Sequence, residues 1–201
     1  ASVQVLPGGP VLLLASGSPY RRRQLEGLGL SFEVRPADVD EEALKQPGAD
    51  PEALALRLAV EKARAVARGA PTGAVVIGGD QLVAFEGEVL GKPGSPDRAV
   101  VQLARLAGRT HRLLTALAVA APDGVRTHLD RCRLTMRPLD EAALHRYVAL
   151  DDPVDCAGAY KFEAGGAALF ERVEGEDPSA ITGLPLIALC RLLAEVGVEV
   201  P

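Results

Sequence analysis

The chain has 201 residues, 48% of them hydrophobic and 24% charged, with a formal net charge of -5. That length and apolar content exclude a disordered chain and suffice for one filled core or two small lobes sharing one. The acidic balance argues against a general nucleic-acid binder, so a local basic cluster reads as a site for a specific anion.

In chain order, Val11–Ala15 reads as a buried strand. Ser18-Pro19 looks like an N-cap followed by proline at the first helical position, opening a helix over Tyr20–Leu28 that Gly29 stops. Phe32–Pro36 is a second strand, running into the acidic segment Asp38–Glu42. Asp50-Pro51 opens a long helix to about Arg68, with Leu54, Leu58 and Lys62 on one face. Ala74–Ile77 is a buried strand expected to break at Gly78-Gly79-Asp80. Gln81–Phe85 and Glu88–Leu90 flank the hairpin signal Glu86-Gly87, and Ser95-Pro96-Asp97 starts a helix to about Leu106. Two long strands, Arg112–Ala121 and Val125–Arg137, straddle the turn Pro122-Asp123-Gly124. Asp140 caps a helix to about Ala149, Gly166–Val173 reads as a strand, and Pro185–Val196 as a final amphipathic helix. The simplest organisation is one mixed α/β domain over residues 1–201, bent into two lobes around a cleft.

Four segments can carry chemistry. The first is Ser16-Gly17-Ser18-Pro19, where a strand feeds a capped helix and free backbone N–H groups make an anion site. Arg21, in the first helical turn, can fork onto a phosphate, whereas Arg22 and Arg23 read as solvated. On this stretch alone, an ordinary surface helix with exposed arginines is the slightly favoured reading. The second is Gly78-Gly79-Asp80-Gln81: a carboxylate beyond a buried strand suits a ligand site, and a tight turn with a capping aspartate is the alternative. The third is Gly91-Lys92-Pro93, which is not a P-loop because proline stands where Ser or Thr would hold magnesium. In this arginine-rich chain, Lys62, Lys92 and Lys161 all fall near candidate segments. The fourth is the run Asp38–Glu42, a solvated loop by default, but a source of hard oxygens for Mg²⁺ or Mn²⁺ beside a polyphosphate.

The remaining signals are bland. His111, His128 and His145 lack the spacing of a histidine metal site, and no Gly-x-Ser-x-Gly elbow occurs. The three cysteines, Cys132, Cys156 and Cys190, have no CxxC spacing, and Cys156 reads as a small buried hydrophobe. No charged leader precedes a long apolar stretch and no apolar run reaches membrane-spanning length, so a soluble cytoplasmic protein is expected.

Together these segments resemble the Maf family of nucleoside triphosphate pyrophosphatases, over nearly the whole chain and in the family's order. The resemblance rests on Leu14-Ala15-Ser16-Gly17-Ser18-Pro19-x-Arg21-Arg22, Asp40-Glu41, Glu61-Lys62-Ala63, Gly79-Asp80 and Gly91-Lys92-Pro93. It continues through Ala107-Gly108-Arg109, Ala157-Gly158-Ala159-Tyr160, Val173-Glu174-Gly175 and Gly183-Leu184-Pro185-Leu186. It implies an α/β fold like that of inosine-triphosphate pyrophosphatases, with a mixed central sheet and flanking helices forming two lobes around a deep cleft. It also implies hydrolysis of a nucleoside triphosphate to the monophosphate and pyrophosphate, a divalent metal (Mg²⁺ or Mn²⁺) and a homodimer; from charge and hydropathy, neither nucleic acid nor membrane is expected as partner. By position, Asp80 matches the catalytic aspartate, while Ser16, Arg21, Glu41, Lys62 and Lys92 match other polar site positions.

Tyr20, Gln81 and Glu163 stand where the branch acting on dTTP and UTP has Arg, Thr and Gln, and so resemble the branch acting on 7-methyl-GTP. N7 methylation makes the guanine ring cationic, which an aromatic face attracts by roughly 0.5–2 kcal/mol. A carboxylate such as Glu163 can accept both N–H donors of guanine's Watson–Crick edge, and Gln81 can add a base or sugar contact. The expected mechanism holds the metal with Glu41 and Asp80, and Lys62, Lys92 and Arg21 offset phosphate charge. Asp80 is either the base that takes the water's proton or a metal ligand. The alternatives are dTTP/UTP hydrolysis and a non-hydrolytic nucleotide-binding regulator of cell division.

Overall fold

A computed structural model describes residues 9–201. Residues 1–8, where the leader was sought, lie outside the described residues. In chain order the elements are β1 (Leu12–Leu14), α1 (Pro19–Gly27), β2 (Glu33–Val34), α2 (Glu41–Leu44), α3 (Pro51–Ala67), β3 (Val75–Phe85) and β4 (Glu88–Leu90). They continue with α4 (Pro96–Leu106), β5 (Thr110–Ala121), β6 (Gly124–Met136), α5 (Glu141–Asp151), β7 (Phe170–Glu174) and α6 (Leu186–Glu195). The strands form a mixed seven-stranded sheet in the order β2-β1-β3-β5-β6-β7, with β4 also paired to β3. β1 runs parallel to both β2 and β3, and β4 is antiparallel to β3.

Local chemistry sets the helix starts. Ser18, Asp50, Ser95 and Asp140 each accept a hydrogen bond from the backbone N–H three residues on, and all but Asp140 are followed by proline. Each such cap satisfies an orphan N–H and is worth about 1 kcal/mol. The acidic run, expected as a solvated loop, also contains a helix: Asp40 caps the single turn α2 by accepting from Ala43 N.

Two other expectations are corrected. β3 does not break at Gly78-Gly79-Asp80 but runs through it to Phe85. The glycines serve close packing, not a turn: a Cβ on Gly78 would lie 2.5 Å from the Ala59 carbonyl oxygen and 2.9 Å from Ala63, both on α3. The strand expected over Gly166–Val173 begins as a 3₁₀ turn, Gly165–Leu169, and extends only from Phe170.

The chain divides into two compact units. Of the described residues, the first takes those up to Gln81, Thr115–Asp130 and Asp177–Pro201; the second takes Leu82–Leu114 and Arg131–Glu176. The first is filled by Leu12 and Leu14 of β1, Val75 and Ile77 of β3, Leu117 and Val119 of β5, and Leu189, Leu192 and Leu193 of α6. The second packs α4 on α5 and buries an aromatic group in which Tyr160 meets Phe170 edge-on at 5.0 Å between ring centroids. Among the described residues no helix is long and apolar enough to cross a membrane.

Candidate active site

Strand parity assigns the side chains of β3. Successive residues face opposite sides of a sheet, so Gly78 and Asp80 share one face and Gly79 and Gln81 the other. The first face receives α3, packed at Gly78 through Ala59 and Ala63. Lys62, one residue short of Ala63, is therefore delivered to Asp80, and its Nζ lies 2.7 Å from Asp80 Oδ1. β1 pairs with β3 as far as Leu14 opposite Ile77. Asp80 thus lies three residues beyond that pairing, where parallel sheets place ligands, although it is still within its own strand.

Glu41, the first residue of α2, reaches the same ammonium: its Oε1 lies 2.8 Å from Lys62 Nζ. The three side chains form a graded cluster, with Asp80 9% exposed, Lys62 17% and Glu41 42%. Desolvating each buried ion costs several kcal/mol, which short hydrogen-bonded pairing offsets. For Asp80 the balance falls on the side of burial, which pushes its carboxyl above the ordinary range; Lys62 and Arg21 pull it down, and Glu41 adds to the rise. Asp80 Oδ2 is buried and has no hydrogen-bond partner among the described residues.

Arg21 approaches from α1. Ser18 Oγ accepts from Arg21 N at 3.3 Å, fixing the first turn. The guanidinium donates from Nε to the Gly183 carbonyl at 3.0 Å and from Nη1 to Ser16 Oγ at 3.3 Å. Burial lowers its pKa while Asp80 and Glu41 raise it, which ties the guanidinium electrostatically to both carboxylates. Gly183 has φ +140, and a Cβ there would meet Arg21 Cγ at 3.1 Å and Nε at 3.2 Å. Only glycine suits both the backbone and the contact. Arg22 and Arg23 are exposed, as expected, and Arg22 pairs on the surface with Glu26 at 3.0 Å.

Ser16, Arg21, Lys62, Asp80 and Glu41 are therefore assembled in the first unit. Gln81 belongs to the same unit but points to the face of β3 opposite Asp80, the face on which a Cβ at Gly79 would meet Arg21 Nε at 3.3 Å. Its Nε2 donates to Thr115 Oγ1 and to the Ala180 and Ile181 carbonyls at 3.0–3.1 Å. Its amide donors are thus engaged within the fold. Tyr20 is 38% exposed, and the Arg23 guanidinium lies over its ring at 5.1 Å.

Lys92 and Glu163 belong to the second unit, and both are exposed. There Cys156 is half-buried, not fully buried as expected. Burial raises its pKa; Lys161 lowers it, Glu163 and Asp155 raise it and Lys92 lowers it, so these charges share its surroundings. The loop bearing Lys161 and Glu163 is held from α5: Tyr147 Oη accepts from Lys161 N and Asp151 Oδ2 from Gly165 N, both at 2.8 Å.

Sequence reasoning missed the segment that steadies Arg21. Gln24 Nε2 donates to the Ser179 and Leu184 carbonyls at 2.9 and 3.2 Å, and its Oε1 accepts from Leu184 N at 3.0 Å. Asp177 and Ser179 cap α6 remotely, accepting from Ile187 N and Leu186 N. The legible signals were Asp177-Pro178-Ser179, a capping pattern, and Thr115, a hydroxyl flanked by apolar residues in β5.

The fold is α/β, and its first unit buries a carboxylate, Asp80, against the Lys62 ammonium. The chain belongs to the Maf family: the model of the Maf-like proteins matches residues 11–196. It is 46% identical over 193 residues to a protein of Xanthomonas campestris named 7-methyl-GTP pyrophosphatase, covering 96% of this chain and 99% of that one. A protein of the same name from Alkalilimnicola ehrlichii is 48% identical over 190 residues, covering 94% of each chain. The structure of the Staphylococcus aureus Ham1 protein aligns with TM-score 0.46 and 16% identity, over 63% of this chain and 72% of that one.

Proposed function

We propose that this chain hydrolyses 7-methyl-GTP to its monophosphate and pyrophosphate. The observation that carries the reading is Asp80: a buried carboxylate with one unpartnered oxygen, bracketed by Lys62, Glu41 and Arg21 in a member of this family.

The residues fit a divalent cation. Among the described residues no group of three or more His, Cys, Asp and Glu side chains stands ready to hold a metal. Two carboxylates, Asp80 and Glu41, with phosphate oxygens and water are the donor set Mg²⁺ typically takes, and Mn²⁺ accepts the same oxygens. When bound, the cation would polarise a phosphoryl oxygen and acidify water. The chain's own groups do the rest. Asp80 Oδ2, the oxygen without a hydrogen-bond partner among the described residues, is assigned to take a proton from water or to hold the cation. Lys62 and Arg21 set positive charge where negative charge grows on phosphate oxygens. Ser16 Oγ and the Gly183 carbonyl keep the Arg21 fork oriented. Lys92 is assigned to phosphate on family position.

Base preference is assigned to Tyr20 and Glu163, each on its own chemistry. Tyr20 presents an aromatic ring that already holds one cation, Arg23, on one face; a cationic purine suits the other. Glu163 is an exposed carboxylate matched to guanine's paired donors. Gln81 contributes by fixing the 180–181 turn. The cytoplasm and a homodimer complete the proposal.

Pyrophosphate release is measured with 7-methyl-GTP, GTP, dTTP and UTP, each with Mg²⁺ or Mn²⁺. Preference for 7-methyl-GTP is expected, and Glu163→Gln should lower its turnover more than that of dTTP. Preference for dTTP or UTP would move the chain to the pyrimidine branch, and no release from any nucleotide would leave a binding regulator.

A further inference from the structure

The Lys62 ammonium occupies the position a divalent cation would compete for. It lies 2.7 Å from Asp80 Oδ1 and 2.8 Å from Glu41 Oε1, bridging two carboxylates from different elements. We propose that this bridge closes the carboxylate pair to a free divalent cation and yields only to a cation already chelated by a triphosphate. The inference rests on the reading of the site given above and adds the order in which its ligands enter.

Charge is the reason. Two carboxylates, Asp80 and Glu41, face two cations, Lys62 and Arg21, and the four balance one another. A bare divalent ion would add two positive charges to a balanced, largely buried group, and it would displace Lys62 with no new anion to receive the ammonium. A metal–triphosphate complex brings net negative charge. Its phosphate oxygens give Lys62 a partner as the ammonium leaves Asp80, and lysine's flexible four-carbon stem permits the swing. Asp80 Oδ2, unpartnered while Oδ1 is engaged, marks the coordination capacity that the bridge leaves unused.

Mn²⁺ binding is measured on the whole chain by calorimetry or electron paramagnetic resonance, without turnover. The native protein should bind Mn²⁺ alone weakly, and at least about tenfold more tightly in the presence of inorganic triphosphate, after correction for the complex formed in solution. Lys62→Gln should bind Mn²⁺ alone at least about tenfold more tightly than the native chain, and adding Glu41→Gln should cancel that gain. Equal or weaker Mn²⁺ binding by a folded Lys62→Gln overturns the proposal. If that variant does not fold, the native titration decides: tight binding of Mn²⁺ alone, unmoved by triphosphate, also overturns it. Absence of pyrophosphate release from every nucleotide, with these titrations as expected, would instead sink the enzymatic reading and leave the cation order standing.

Discussion

Around Asp80 in the first unit the site is built from ions: the buried Asp80 carboxylate pairs with Lys62, which also meets Glu41. In the second unit the deepest titratable pair is neutral. His111, 1% exposed, meets Tyr160 Oη at 2.8 Å through Nε2, and both rings pack on Phe170. Burial alone pushes the His111 pKa down to about 4, and its Nδ1 has no partner among the described residues. Paired charges of this kind add little to a fold, because desolvation offsets their attraction.

The sharpest way to break that contrast is Asp80→Asn. The fold should persist, since the amide keeps the shape and is cheaper to bury, while pyrophosphate release should fall by about a thousandfold or more. A folded, fully active variant would remove the distinction between the units. Next in size is Gly183→Ala. A positive φ for alanine plus the contact with Arg21 should lower stability by about 1–3 kcal/mol. It should also raise KM more than it lowers kcat, because a binding fork has moved; steady-state kinetics and denaturant melts check both.

His111 tests the second unit. A base whose folded pKa lies below its unfolded value contributes stability that is full above pH 6.5 and lost as pH falls toward about 4. The loss is on the order of 3 kcal/mol over that window. His111→Phe should flatten this part of the stability–pH curve, at the cost of an unpaired Tyr160 hydroxyl. Unchanged pH dependence would mean the imidazole is not the group responsible. The smallest effect belongs to Arg22→Ala, whose surface pair with Glu26 should matter by less than about 0.5 kcal/mol, with activity intact.

Much of this was legible because it is local. Ser18-Pro19, Asp50-Pro51, Ser95-Pro96 and Asp140 announced four helices through capping chemistry that does not depend on the rest of the chain. Lys62 was placed on the inward face of its helix by spacing from Leu54 and Leu58. The Gly78-Gly79 reading failed because glycine signals either a turn or a close approach, and only the packed α3 distinguishes them. The packing of Gln81 was not legible for a similar reason: its three acceptors lie 34 to 100 residues away, beyond the reach of pattern. The role of the 177–187 segment was hidden because carbonyl oxygens, which every residue carries, hold Arg21 and Gln24 there.

The C-terminal helix has a consequence for biosynthesis. Leu189, Leu192 and Leu193 complete a core whose other half, Leu12, Leu14, Val75 and Ile77, is made far earlier. During translation that sheet face must wait, uncovered, until α6 itself has left the ribosome. A nascent chain stalled before Leu186 would present a greasy, unshielded strand surface, which makes it a natural client for chaperones.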